Sequence, residues 1–183
     1  GLFAAFATLL DPGDDVLMFS PYWTPIADVI AYHGAAPVLV GTDAARAGGL
    51  SSALARAVTP KTKLLYWNSP NNPTGDVFSR AECAEVCAFA RDRGLAVISD
   101  EAYEDLIYEG EEHVSPASFP GMAERTISVF TLSKTYSMTG WRAGYVIVPE
   151  RWRNAMRTVV LYSINGVSTP TQWAMLEALR LPD

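Results

Sequence analysis

The chain has 183 residues, 49% hydrophobic and 19% charged, with a net charge of −6. This balance fits one globular domain with a sizeable core and excludes a disordered tail. With no basic run and no apolar stretch near the roughly 20 residues of a spanning helix, neither nucleic acid nor membrane is expected as a partner, and a cytoplasmic location is expected.

The opening "GLFAAFATLL" places Leu2, Phe3, Phe6, Leu9 and Leu10 at helical spacing. No methionine and no capping residue precede it, and "LEALRLPD" stops as a helix finishes, so the chain is expected to be a piece of a longer one. "DPGD" (Asp11–Asp14) reads as a turn, "VLMFS" as a buried strand, "YWTPIADVIAYHG" as a helix closed by Gly34, and "APVLVG" as a strand. A poorly ordered stretch with Gly48 and Gly49 is expected next, then a short helix from Ser51 to Val58 and the strand "TKLLYWNS".

"SRAECAEVCAFARDRG" is the best-marked helix, with Ser79 and Glu82 as a capping box and Gly94 as the stop. Its Cys83 and Cys87 stand i,i+4, a poor geometry for a disulfide, and His33 and His113 lie far away in sequence. Small packing residues are expected there, and no metal site. "LAVISD" is a strand, followed by a Tyr- and Glu-rich connection in which Glu101, Glu104, Asp105, Glu109, Glu111 and Glu112 read as a solvated acidic stretch. "TISVFT" and "AGYVIV" are two further strands, and "ERWRNAMRTVVLYS" and "TPTQWAMLEALR" are the closing helices. Continuous apolar strands alternating with helices predict a three-layer α/β/α fold with a mostly parallel sheet.

Ligands of open parallel sheets bind outside the carboxyl ends of the strands. Those ends offer Trp23 after the first strand, "NSPNNPTG" with Asn72 after "KLLYW", Asp100 with Tyr103 after "LAVIS", and Thr131, Ser133 and Lys134 after "TISVF". An aromatic plate, an amide, a carboxylate with a phenol, and an amine with hydroxyls make the set that pyridoxal 5'-phosphate needs. Taken singly, each residue has a plainer reading. Lys134 could be a loop lysine, Asp100 a helix N-cap, Asn72 a turn residue, Trp23 a packing aromatic and Arg142 a surface charge. The chain has no G-x-x-x-x-G-K-[ST] and no G-x-S-x-G, so nucleotide hydrolase and α/β-hydrolase readings lack support.

Four segments, "LLDPGDDVLMFSPYWTPIADVIAYHGAAPV", "SPNNPTG", "SDEAYEDLIYEG" and "TLSKTYSMTGWRAGY", in this order and at these separations, resemble the class I/II (fold-type I) pyridoxal-phosphate aminotransferases. The resemblance covers essentially the whole chain and implies most of a cofactor-binding large domain over residues 1–183, without the family's N-terminal segment and C-terminal small domain. It implies that Lys134 forms the Schiff base and that Asp100 pairs with the ring nitrogen. Asn72 and Tyr103 would bond the phenolic oxygen, Trp23 would stack on the ring, and Thr131, Ser133 and Arg142 would contact the phosphate. Amino-acid and 2-oxo-acid substrates and a homodimer are implied for the full-length protein. A carbon–sulfur β-lyase, or a non-catalytic sensing domain of a transcription regulator, are the alternatives. The family topology also leaves the outer edge of "AGYVIV" open or paired with another chain.

Overall fold

The computed structural model of the chain describes residues 1–108 and 110–181; Glu109 of the acidic stretch and Pro182 and Asp183 of "LEALRLPD" lie outside these. After helix α1 (Leu2–Leu9) come strand β1 (Asp15–Ser20), α2 (Pro25–Tyr32), β2 (Ala36–Gly41), α3 (Thr42–Gly48), α4 (Leu50–Ala57) and β3 (Thr62–Asn68). Then follow α5 (Arg80–Asp92), β4 (Ala96–Asp100), β5 (Thr126–Thr131), α6 (Leu132–Thr135), β6 (Gly144–Ile147), α7 (Glu150–Ser163) and α8 (Thr169–Ala178).

The strands form one sheet in the order β2-β1-β3-β4-β5-β6. The pairs from β2 to β5 are parallel, and β6 alone runs antiparallel, against β5. Alternation along each strand divides the core in two. Leu17, Phe19, Leu65, Trp67 and Val97 face α3, α4 and α5. Val16, Met18, Leu64, Tyr66, Ile98 and Val129 face α1, α2 and α7. Each fully buried aliphatic side chain in these layers contributes roughly 1.5–3 kcal/mol by leaving water. This is the three-layer, mostly parallel architecture expected from the strand pattern.

Two details differ from the sequence reading. Residues 42–48, expected to be poorly ordered, form α3. Its terminal glycine and short length give it little intrinsic propensity, and it is held by tertiary anchors. Thr42 and Ala45 are buried, and the Arg46 Nε donates to Glu82 Oε1 at 2.7 Å while its guanidinium lies over the Phe78 ring. Second, Glu101 is not part of a solvated acidic run. It is buried, and its two carboxylate oxygens accept from His113 Nε2 and Ser115 Oγ, each at 2.8 Å. Both partners come from the far end of the connection, so composition could not foresee them.

The best-marked helix forms as expected: the Ser79 side chain accepts from Glu82 N and Glu82 returns the bond to Ser79 N. Cys83 and Cys87 are free and buried, with their sulfurs 4.0 Å apart. Among the described residues no strand pairs with the outer side of β6, where Tyr145 is 41% and Ile147 59% exposed. That edge is open, as the topology of the resemblance implies.

Candidate active site

Parallel pairing from β1 to β5 brings Ser20, Asn68, Asp100 and Thr131 to one end of the sheet, and β3 and β4 end side by side, with Asn68 opposite Asp100. The Asn68 Nδ2 donates to the Asp100 carbonyl at 3.0 Å, while its Oδ1 accepts from the Asn72 backbone at 2.9 Å. One side chain thus ties two strand ends to the "SPNNPTG" turn. Inside that turn Gly75 takes φ +77°, open to glycine at little cost, and its N–H donates to the Asn71 carbonyl. The Asn71 Nδ2 donates to the Pro21 carbonyl, which joins this turn to the one after β1.

Asn72 Nδ2 donates to the Tyr103 hydroxyl at 3.2 Å. The Lys134 amine lies 5.7 Å from the centre of the Tyr103 ring. Lys134 itself is exposed, and among the described residues its amine has no hydrogen bond and no carboxylate partner. An amide, a phenol and an uncommitted amine therefore meet where three strands end.

Asp100, which ends β4, is buried. Its Oδ2 accepts from the Tyr66 hydroxyl at 2.7 Å, and its Oδ1 has a longer contact, 3.3 Å, from the Ala102 N–H. Burial pushes the Asp100 carboxyl above its ordinary value, and the Tyr66 and Ala102 hydrogen bonds pull it part of the way back. Burial beside that carboxylate pushes the Tyr66 phenol well up, so it remains a donor.

Lys134 sits in α6, a single helical turn capped by the last residue of the strand it follows. The Thr131 Oγ1 accepts from Ser133 N and donates to the Ala143 carbonyl. Ser133 is buried, and its carbonyl accepts from Thr139 Oγ1 at 2.9 Å. These bonds fold the connection between β5 and β6 back on itself. Gly144 completes the closure, because a Cβ there would collide with the Phe130 carbonyl.

Trp23 and Arg142 stand at the rim. Trp23 is 42% exposed in the turn between β1 and α2, and among the described residues its side chain makes no hydrogen bond. Arg142 adopts left-handed backbone geometry (φ +54°), costly for a residue with a Cβ, and donates from Nη1 to the Thr139 carbonyl. It lines a cavity of about 790 Å³ with Ser137, Trp141, Ser168 and Thr171. Direct contacts thus join Asn72, Tyr103 and Lys134. Asp100 joins them through Asn68, and Thr131 and Ser133 brace the Lys134 turn; among the described residues no hydrogen bond ties Trp23 or Arg142 to Asn72, Tyr103 or Lys134.

The sequence pattern of the family described as "Aminotransferase class I and II" matches residues 1–183. The chain belongs to this family. It is 41% identical over 183 residues to a probable aspartate/prephenate aminotransferase of Aquifex aeolicus, covering 99% of the chain and 46% of that protein. To the mouse kynurenine–oxoglutarate transaminase 1 it is 37% identical over 187 residues, covering 96% of the chain and 44% of the relative. Among solved aminotransferases, an N-succinyldiaminopimelate aminotransferase from Mycobacterium tuberculosis superposes with a TM-score of 0.92 at 36% identity, over 100% of the chain and 48% of that structure. The chain spans about half the length of the aminotransferases it matches.

Two residues of this candidate site went unread in the sequence. Asn68 and Tyr66 face the same side of β3 as Asp100 does of β4, and the available signal was a phenol and an amide on a strand face otherwise aliphatic. The structure also gathers Glu101, Glu104 and His113, whose ligand atoms lie within 4.8 Å of one another. Both oxygens of Glu101 are already bonded to His113 and Ser115, and these three residues clamp the connection after β4.

Proposed function

We propose that the protein carrying this chain transfers an amino group between an amino acid and a 2-oxo acid, using pyridoxal 5'-phosphate. The observation that carries this is the uncommitted Lys134 amine over the Tyr103 ring, with Asn72 bonded to the Tyr103 hydroxyl and the buried Asp100 ending the strand before Tyr103. The donor set suits that cofactor: an amine for its aldehyde, a carboxylate for its ring nitrogen and two donors for its phenolic oxygen. When bound, the cofactor supplies an electron sink for negative charge at the substrate's Cα.

The chain's own residues do the rest. Lys134 would hold the cofactor through its amine and, when a substrate amine takes its place, would serve as the base for the proton at the substrate's Cα. Asp100 keeps the ring nitrogen protonated. Asn72 and Tyr103 bond the phenolic oxygen, and Trp23 covers one ring face. Thr131, Ser133 and Arg142 serve the phosphate, where the arginine's planar fork can give two hydrogen bonds. Residues 1–183 then make up most of the large domain of a cytoplasmic homodimer, and the names of the relatives make aspartate and 2-oxoglutarate the first substrates to try.

The test is an absorption spectrum of the intact protein with added pyridoxal 5'-phosphate. Wild type should show a band near the visible that shifts when aspartate is added, and Lys134→Ala should lose that band with at least a thousandfold drop in turnover, roughly the loss of about 4 kcal/mol of barrier lowering. A band that survives Lys134→Ala removes Lys134 as the anchor.

A further inference from the structure

We infer that Tyr66 is the positioning residue for Asp100: its phenol holds one carboxylate oxygen, fixing the side chain and keeping it ionised for the ring nitrogen of the cofactor. The inference rests on the cofactor reading above.

The pair is mutually dependent. Tyr66 is 2% exposed and lies on the apolar face with Phe6, Met18 and Ile98, where its hydroxyl has Asp100 as its hydrogen-bond partner among the described residues. A buried hydroxyl without a partner is costly, and a buried carboxylate more so. The 2.7 Å bond satisfies both, in the range of a charge-assisted bond. Strand register makes it possible: Asn68 lies opposite Asp100 and Tyr66 two residues earlier, so all three share one face of the sheet. Asn68 fixes the Asp100 backbone through its carbonyl, and Tyr66 fixes the side chain. With Oδ2 taken, Oδ1 has among the described residues only the 3.3 Å contact from Ala102 N and is the oxygen left to receive a further donor.

The chemistry depends on charge as well as on aim. A protonated Asp100 could not hold a pyridine nitrogen in its protonated form. Burial drives Asp100 toward protonation, and the phenol opposes it. A Phe at 66 would fill the same space and withdraw that opposition.

The test uses the intact protein with aspartate labelled at its side-chain carboxyl carbon, the Asp100 signal being the one absent from Asp100→Asn. In cofactor-free Tyr66→Phe the Asp100 titration should move to higher pH. Replacing tyrosine by the more acidic 3-fluorotyrosine, which keeps the fold even if the Phe variant does not, should move it lower. Affinity for pyridoxal 5'-phosphate should weaken about tenfold in Tyr66→Phe, and adding the change to Asp100→Asn should weaken binding no further. An Asp100 titration that stays put in both tyrosine replacements, or independent losses in the double variant, would overturn the inference. Failure of wild type to bind the cofactor would sink the cofactor reading alone, and the titration would still decide for or against the hold of Tyr66 on Asp100.

Discussion

Glu104 and Glu101 are three residues apart and titrate in opposite senses. Burial would raise Glu101, but the hydrogen bonds from His113 and Ser115 hold it below its ordinary value. Glu104 has no such donors among the described residues; burial, with Asp105 and Glu101 near, pushes it up to about 7. A carboxyl that binds its proton more tightly in the folded state costs nothing below its unfolded pKa and destabilises as pH rises through the window up to the folded value. Glu104→Gln should leave the unfolding temperature unchanged at about pH 4 and raise it at about pH 8. The side chain is half-buried, so screening reduces the gain to about 1 kcal/mol, or roughly 2–4 °C by calorimetry. Which of these acids was buried could not be read from the sequence, since His113 and Ser115 return to Glu101 only after the chain has turned back. Lys134, Asn72 and Asp100 were legible because each stands at or just after the end of a strand in a distinctive local motif. Tyr66 was not, because its role exists only across the β3–β4 register.

At the scale of elements the same division holds. Helix α5 announced itself through Ser79 and Glu82, a local signal, and the structure has both reciprocal bonds. Helix α3 did not, since what holds it is Arg46 reaching Glu82 and Phe78 more than thirty residues on. Glu82 therefore serves two helices at once, closing the cap of α5 and anchoring α3. Ser79→Ala should cost about 1 kcal/mol, a fall of roughly 2–4 °C in the unfolding temperature. Glu82→Ala should cost about twice that, and the excess should vanish when Arg46 is replaced by Ala as well. Equal effects of the two single replacements would show that the Arg46 contact adds nothing.

For the whole molecule, one sheet carries the site along one end and leaves the outer side of β6 unpaired among the described residues. Tyr162, Ile164, Trp173 and Leu179 add exposed apolar surface on and around α7 and α8. Surface of this kind marks an interface. Residues 1–183 expressed alone should accordingly bind an apolar dye such as ANS and turn over amino acids at under about one hundredth of the rate of the intact protein, a loss of about 3 kcal/mol or more in barrier lowering. Equal rates from the isolated segment would contradict this.

The antiparallel closure of β5 on β6 has a consequence in time. Lys134 and Arg142 both lie on the one connection between those strands, so they come together as soon as a hairpin forms, on the order of 1–10 μs. Asp100 and Asn72 sit on strands that pair only after crossovers through helices, and such long-range pairing is slow. During refolding, Lys134 should therefore reach its place before Asp100 and Asn72 reach theirs.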